Sequence, residues 1–286
     1  MNSSPGVKIR ACLDLIRMDL AVGAGLFLIA GEILATGELP PIPGMMLGFL
    51  TLFFISGSAN ISNDYFDRDV DRVNLSTRPL PSGRITIREL WALFSLFTLC
   101  GLISAALLGL IILIIVFVLW SIALLYNMKL KESGFPGNLC VAFCLGMIFI
   151  LAGILADNLN GVLITFALLA FFFDLGEEIA CDALDMAGDE MRSTRSIAIQ
   201  IGTDQAMMVS GGMFGIFILI TVVPFLMNWL GLDYLALAMI LDLWVIRCVM
   251  NLVSIRSIPD GRVVTRSLYL SWGLFVFSFA FSRLII

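Results

Sequence analysis

Hydrophobic positions dominate this chain in long blocks, and the polar positions collect between them. Apolar stretches of about 20 residues, the length of helix that crosses a bilayer, are expected at 20–36, 45–62, 90–108, 109–127, 136–156, 161–181, 206–228, 234–254 and 267–286. The run from Leu90 to Asn127 carries no charge and is divided into two spans by its length. The pattern predicts an all-α polytopic membrane protein with nine transmembrane helices. No cleavable signal peptide is expected, because the polar N-terminus leads into a first apolar stretch that is already a full span.

Composition agrees: 60% of residues are hydrophobic and 14% charged, where soluble chains carry about 25% charged residues. The basic residues give an orientation, since they concentrate in cytoplasmic loops. With nine spans, fifteen of the 17 lysines and arginines fall on the N-terminal side. The exceptions are Arg247, inside the eighth span, and Arg283, near the end of the ninth. Loops on the other side, at 36–44, 107–109, 157–161 and 228–233, contain none. The N-terminus is therefore expected in the cytoplasm and the C-terminus opposite. Six scattered cysteines and no histidine make a poor soft-metal site, and the cysteines are expected to pack as small apolar residues.

The acids are not scattered. At the end of the second span, Asn60, Asp64, Asp67 and Asp71 are spaced 4, 3 and 4 apart, which keeps them on one helix face. Glu178, Asp182, Asp185 and Asp189, at the end of the sixth, repeat that spacing at an offset of 118 residues. "STRP" (Ser76–Pro79) and "STRS" (Ser193–Ser196) follow the two rows. Four spans separate the rows, so both end on the cytoplasmic side. One domain over 1–286 is expected, with repeats at about 14–130 and 134–255: two four-helix units plus a ninth helix around a central cavity. Duplicated membrane folds often carry their site where the repeats meet.

Two carboxylate rows brought together would repel and be driven toward protonation. A divalent cation removes that conflict. Mg²⁺ takes hard oxygen ligands and completes its octahedron with waters and substrate phosphate oxygens. Arg72, Arg78, Lys129, Lys131, Arg192 and Arg195, all on the same side, would balance the charge of a diphosphate. A diphosphate beside a lipid-buried pocket points to a prenyl diphosphate. Its ionisation leaves an allylic cation for a dry aromatic cavity to protect; Phe53, Phe54, Tyr65, Phe66, Trp120 and Tyr126 are candidates for that lining.

At these residues the chain resembles the UbiA-type intramembrane prenyltransferases. "NDYFDRDVD" (Asn63–Asp71) and "DALDMAGD" (Asp182–Asp189) match the family's two acidic motifs. "TRPLPSG" (Thr77–Gly83) and "YNMKLKESGFPGN" (Tyr126–Asn138) resemble its loops after the second and fourth helices. The resemblance implies that Asn63, Asp67, Asp185 and Asp189 hold Mg²⁺, two ions in all, supported by Asp64 and Asp182. Asp71 would either ligate metal or take the acceptor's proton, and Asp189 is a second catalytic candidate. Lys129, Lys131 and Arg72 would contact the diphosphate with Tyr126 at the head group, and Arg17, Arg78, Arg195 and Asn60 would complete the substrate site. Arg17 stands where members have an arginine, but Met18 and Asp19 follow it rather than the usual Pro and Asn.

The motifs are nearest to the archaeal digeranylgeranylglyceryl phosphate synthase and chlorophyll synthase branches. The archaeal enzymes carry Arg and Lys where this chain has Glu177 and Cys181. That substitution favours an aromatic or other neutral acceptor, with a glycerol phosphate ether as the alternative; internal quenching of the cation, as in a terpene cyclase, is a third. Expected partners are a prenyl diphosphate donor, a lipophilic acceptor and membrane lipid, with no nucleic acid; oligomeric state stays open. An ion-coupled transporter is the competing class, and the acids' position at helix ends rather than mid-span argues against it.

Overall fold

Residues 5–184, 194–254 and 258–285 are described by a computed structural model of the chain, and among them there is helix and no strand. A twelve-residue helix α1 (Pro5–Ile16) precedes α2 (Met18–Thr36), α3 (Ile42–Phe66), the short α4 (Arg68–Asn74), α5 (Ile87–Leu108) and α6 (Leu110–Met128). A 3₁₀ turn at Leu130–Ser133 leads to α7 (Phe135–Leu155) and α8 (Gly161–Leu184). Then come α9 (Ile197–Ile201), α10 (Thr203–Thr221), α11 (Val223–Leu226), α12 (Leu232–Ser254) and α13 (Ile258–Arg283).

Eight of these segments are long and apolar enough to span a bilayer. The remaining expected span is α8, 24 residues long, which carries Asp174, Glu177, Glu178 and Asp182 in its C-terminal half. The division between α5 and α6 falls at Gly109, whose φ of 129° is open to glycine alone. Other boundaries move outward from the apolar windows. α3 continues to Phe66, and α13 starts at Ile258 with Pro259 in its first turn, because a helix does not stop where its side chains become polar. Helix α5 opens on a capping box, Thr86 Oγ1 accepting from the Glu89 amide while Glu89 accepts from the Thr86 amide.

The chain forms two compact units. The first contains the residues up to Ile29 together with Pro40–Lys129; the second contains Ala30–Leu39 and the chain from Leu130 onward. In the first, α3 lies against α5 with glycine at both contacts. A Cβ on Gly57 would stand 2.7 Å from the Phe97 ring, and one on Gly101 would stand 2.8 Å from Ile55, so the backbones approach closely. The opposite side of α5 presents Leu96, Leu99, Ile103 and Leu107 outward, each more than half exposed. Such a face suits lipid and not water. In the second unit α7 packs on α8 and α8 on α10, around a cluster in which Phe173 and Trp272 stack at 5.6 Å. The end of α2 is tied into this unit by Asn158 Nδ2, which donates to the Ala35 carbonyl at 2.7 Å.

Candidate active site

The first acidic row turns out to be a buried face. Asp64, Asp67 and Asp71 are 2%, 7% and 3% exposed, while Asp69, off the 4-3-4 stripe, has a side chain 67% exposed. The helix changes direction at Asp67 (φ −84°, ψ −3°) without losing its hydrogen bonds: the Asp67 amide donates to Asn63 O at 2.9 Å and the Asp71 amide to Asp67 O at 2.8 Å. The stripe therefore survives the bend.

Two arginines close on this row from loops on either side of α3. Arg17 sits between α1 and α2 in the left-handed region, φ 52°, a conformation that costs free energy in a non-glycine residue and tends to occur at functional sites. From there Nη2 donates to Asn63 Oδ1 at 2.8 Å and to Asp64 Oδ1 at 3.3 Å. Arg78 Nη1 donates to Asp64 Oδ1 at 3.1 Å and to Asp71 Oδ2 at 2.9 Å. Buried carboxylates need such partners. Asn63 is held from its other side as well, its Nδ2 donating to Asn127 Oδ1 at 3.2 Å. Asn127 in turn donates to Ala59 O and Ser62 Oγ, at 2.9 and 2.8 Å.

The other expected site residues have different surroundings. Asn60 Nδ2 donates to the Ile16 carbonyl at 3.0 Å, tying α3 to the end of α1. Arg72 is 69% exposed at its side chain and pairs with Asp69 at 3.4 Å, on the outward side of α4; one residue beyond Asp71, it is turned by about 100° away from the stripe. Tyr126 is half-buried in the last turn of α6 beside Asn127, and Lys129 is exposed at the end of that helix. Tyr65 meets Trp91 at 4.8 Å, followed by Trp91–Phe94 at 5.1 Å and Phe94–Trp120 at 6.2 Å. Phe53 and Phe54 instead pack on Phe97 in the helix core.

In the second unit Asp182 accepts from Asn138 Nδ2 at 2.8 Å, and Asn138 is buried. Lys131, in the 3₁₀ turn, acts electrostatically on Glu178. The Arg195 amide donates to Glu132 O at 3.0 Å, and Gly134 (φ 70°) passes so near that a Cβ would stand 1.9 Å from Arg195 O. Lys131 and Arg195 are thus carried by two backbone segments in direct contact. Asp185, Asp189 and Arg192 lie outside the described residues. Asn127 and Asn138 were not anticipated as site residues, although both sit in the "YNMKLKESGFPGN" stretch.

The donors suit Mg²⁺: they are carboxylates and carboxamides, hard oxygen ligands without thiol or imidazole. Among the described residues no three ligating acids converge closely enough to enclose an ion unaided.

A sequence model of the UbiA prenyltransferase family matches residues 24–271. The chain belongs to that family. A digeranylgeranylglyceryl phosphate synthase from Methanococcus vannielii is 30% identical over 96% of this chain and 98% of its own length. One from Methanosphaera stadtmanae is 32% identical over 70% of this chain and 73% of its own. Among solved structures, a UbiA homologue from Archaeoglobus fulgidus bound to GPP and Mg²⁺ has a TM-score of 0.76 at 19% identity, covering 96% of this chain and all of the other. A structure concerned with digeranylgeranylglyceryl phosphate synthase in membranes has a TM-score of 0.78 at 24% identity, covering 98% and 99%. This UbiA-family member is an integral membrane prenyltransferase with the helical UbiA fold.

Proposed function

We propose that this UbiA-family enzyme transfers a geranylgeranyl group from its diphosphate to a monoprenylated glyceryl phosphate, forming digeranylgeranylglyceryl phosphate. The observation that carries prenyl transfer is the buried row Asp64–Asp67–Asp71 with Arg17 and Arg78 fixed on it. Supporting this choice of product, relatives of that name cover nearly the whole chain. Asn63, Asp64 and Asp67, with Asp182, Asp185 and Asp189, would hold Mg²⁺, and two ions are proposed. When bound, Mg²⁺ neutralises a diphosphate and eases its departure.

The chain's own groups do the rest. Arg17, Arg78, Lys129, Lys131 and Arg195 hold the diphosphate as the allylic C–O bond breaks and the charge moves onto the leaving oxygens. The acceptor hydroxyl oxygen then bonds to the allylic carbon, and its proton passes to a carboxylate of the row, for which Asp71 is proposed. Trp91 and Phe94 would offer ring faces to the cation; one face of Tyr65 is already covered by the Arg68 guanidinium, 4.5 Å from the ring centre. The active-site loops and N-terminus are proposed to be cytoplasmic and the C-terminus opposite. Two repeats at about 14–130 and 134–255 are proposed from the 118-residue offset of the rows.

Glu177 and Cys181 favour a second acceptor class, neutral and aromatic, since neither carries the positive charge that a phosphate would meet. The test is diphosphate release from geranylgeranyl diphosphate by the purified protein, with products identified by mass spectrometry. The panel offers no acceptor, geranylgeranylglyceryl phosphate, or phenols. Product formed only with the glyceryl phosphate is expected. Product formed only with phenols overturns the assignment in favour of the second, and hydrocarbon formed without acceptor overturns both.

Two further outcomes are expected. Excess EDTA should stop release and added Mg²⁺ should restore it, with Ca²⁺ restoring far less because its ligand distances are about 0.3–0.5 Å longer. A rate that persists in EDTA overturns the metal role. Asn138→Ala, which removes the amide fixed on Asp182, should raise the Mg²⁺ concentration for half-maximal release roughly 10–100-fold. An unchanged Mg²⁺ dependence would show that Asp182 needs no orienting partner.

A further inference from the structure

A cleft of about 580 Å³ opens beside the first row. It is lined by Val7, Arg10, Asp14 and Arg17 at the start of the chain, Asp64 on α3, and Thr77, Arg78, Pro79 and Arg84 in the loop before α5. Arg17 and Arg78 form its inner wall and already serve the carboxylate row. The outer wall, Arg10 and Arg84, is not needed by that row.

Arg84 is held by three bonds. Its Nη1 donates to Asp14 Oδ2 at 2.7 Å, its Nη2 to Thr77 O at 2.6 Å and its Nε to Ser82 Oγ at 3.1 Å. Arg10 stands one helical turn before Asp14, is exposed, and makes no ion pair among the described residues. The lining holds four guanidiniums against two carboxylates. Asp14 is engaged with Arg84, and Asp64 is shared by Arg17 and Arg78. Arg78 also pairs with the buried Asp71 at 2.9 Å, so one positive charge, that of Arg10, is left over to meet a phosphomonoester, whose oxygens suit guanidinium forks. Val7 joins the lining, and Ile9 and Leu13 are exposed on the same helix.

We infer that this cleft seats the phosphate of the acceptor, a phosphorylated prenyl glycerol ether, and that Arg10 and Arg84 read its charge. Resting on the function proposed above, this assignment answers the objection raised by Glu177 and Cys181. The charge that meets the phosphate then comes from α1 and the loop before α5.

The test is equilibrium binding by calorimetry to the full chain in detergent, without turnover. Four probes are used: geranylgeranylglyceryl phosphate, the same compound without its phosphate, geranylgeranyl diphosphate, and phosphatidic acid. The wild type is expected to bind the phosphorylated ether at least about tenfold more tightly than its dephosphorylated form. Arg10→Glu should erase that preference while leaving the diphosphate's Kd within about twofold, and Arg10→Lys should keep most of it. Four outcomes overturn the assignment: no preference in the wild type, an unchanged preference in Arg10→Glu, equal loss of donor binding, which makes the cleft a donor site, or equal binding of phosphatidic acid, which makes it a general lipid seat. Product analysis with the acceptor panel tests the reaction separately. Arg10-dependent binding without product sinks the proposed reaction and leaves the cleft standing; product without Arg10 dependence does the reverse.

Discussion

Asp67→Asn is expected to lower prenyl transfer by roughly 10³-fold or more while leaving the protein folded. The substitution keeps the size and shape of a side chain that is 7% exposed and removes one negative charge. The bend at Asp67 is made by its backbone, whose amide and carbonyl both stay in the helical hydrogen-bond series; its side chain makes no capping bond. An isosteric exchange at a position whose backbone bonds are kept is expected to leave the fold in place. Affinity for a divalent cation, by contrast, depends on the number of charged oxygen ligands, and loss of one from a few should be felt directly. The checks are diphosphate release across a Mg²⁺ series and a thermal melt in detergent. An unchanged melt with activity lost at every Mg²⁺ concentration is the expected pair. Activity within about tenfold of the wild type would mean that Asp67 is buried for packing and holds no metal, because a ligand lost from a metal that stabilises a leaving diphosphate costs more than that.

The contrast between Asp67 and Arg72 explains how far the sequence could be read. Helical spacing alone put Asp64, Asp67 and Asp71 on one face, and they are buried together. Arg72 was expected at the diphosphate from its charge and motif position, and its side chain is found paired with Asp69 on the exposed side of α4. Spans were legible because about 20 apolar residues have few other uses. Their ends were not, because α3 and α13 continue as helix into polar sequence. Arg17 and Arg78 reach the row through irregular backbone, a left-handed residue in one case and the turns after Leu75 in the other, and no periodicity describes such a path. Asn127 and Asn138 left no signal of charge at all. Their roles arise from where α6 ends and α7 begins, which only the folded helices define. Helix α1 escaped notice because twelve residues of mixed polarity look like a tail until Lys8 is seen bound to Glu89 at the start of α5.

Arg78→Gln is the second substitution with a large expected effect, and it acts on fold and function together. One nitrogen of Arg78 bonds both Asp64 and Asp71. Without it two buried carboxylates face each other, Asp64 keeping Arg17 at 3.3 Å and Asp71 losing its bond to Arg78. Removing one partner from a fully buried ion pair costs about 3–5 kcal/mol. Arg78 is 27% exposed at its side chain, so water screens part of the repulsion and about 2 kcal/mol is the better expectation. In a chain of this size that lowers the melting temperature by about 4–8 °C. Turnover should fall by at least about 100-fold, since the same guanidinium is proposed to meet the leaving diphosphate. The distinguishing measurement is the melt with and without Mg²⁺. A cation bound by the row takes over as counterion, and a ligand that binds the folded state raises its stability. Mg²⁺ should therefore stabilise Arg78→Gln by more degrees than it stabilises the wild type. Equal shifts in the two proteins would separate Arg78 from the metal site, and a variant as stable and as active as the wild type would remove it from both roles.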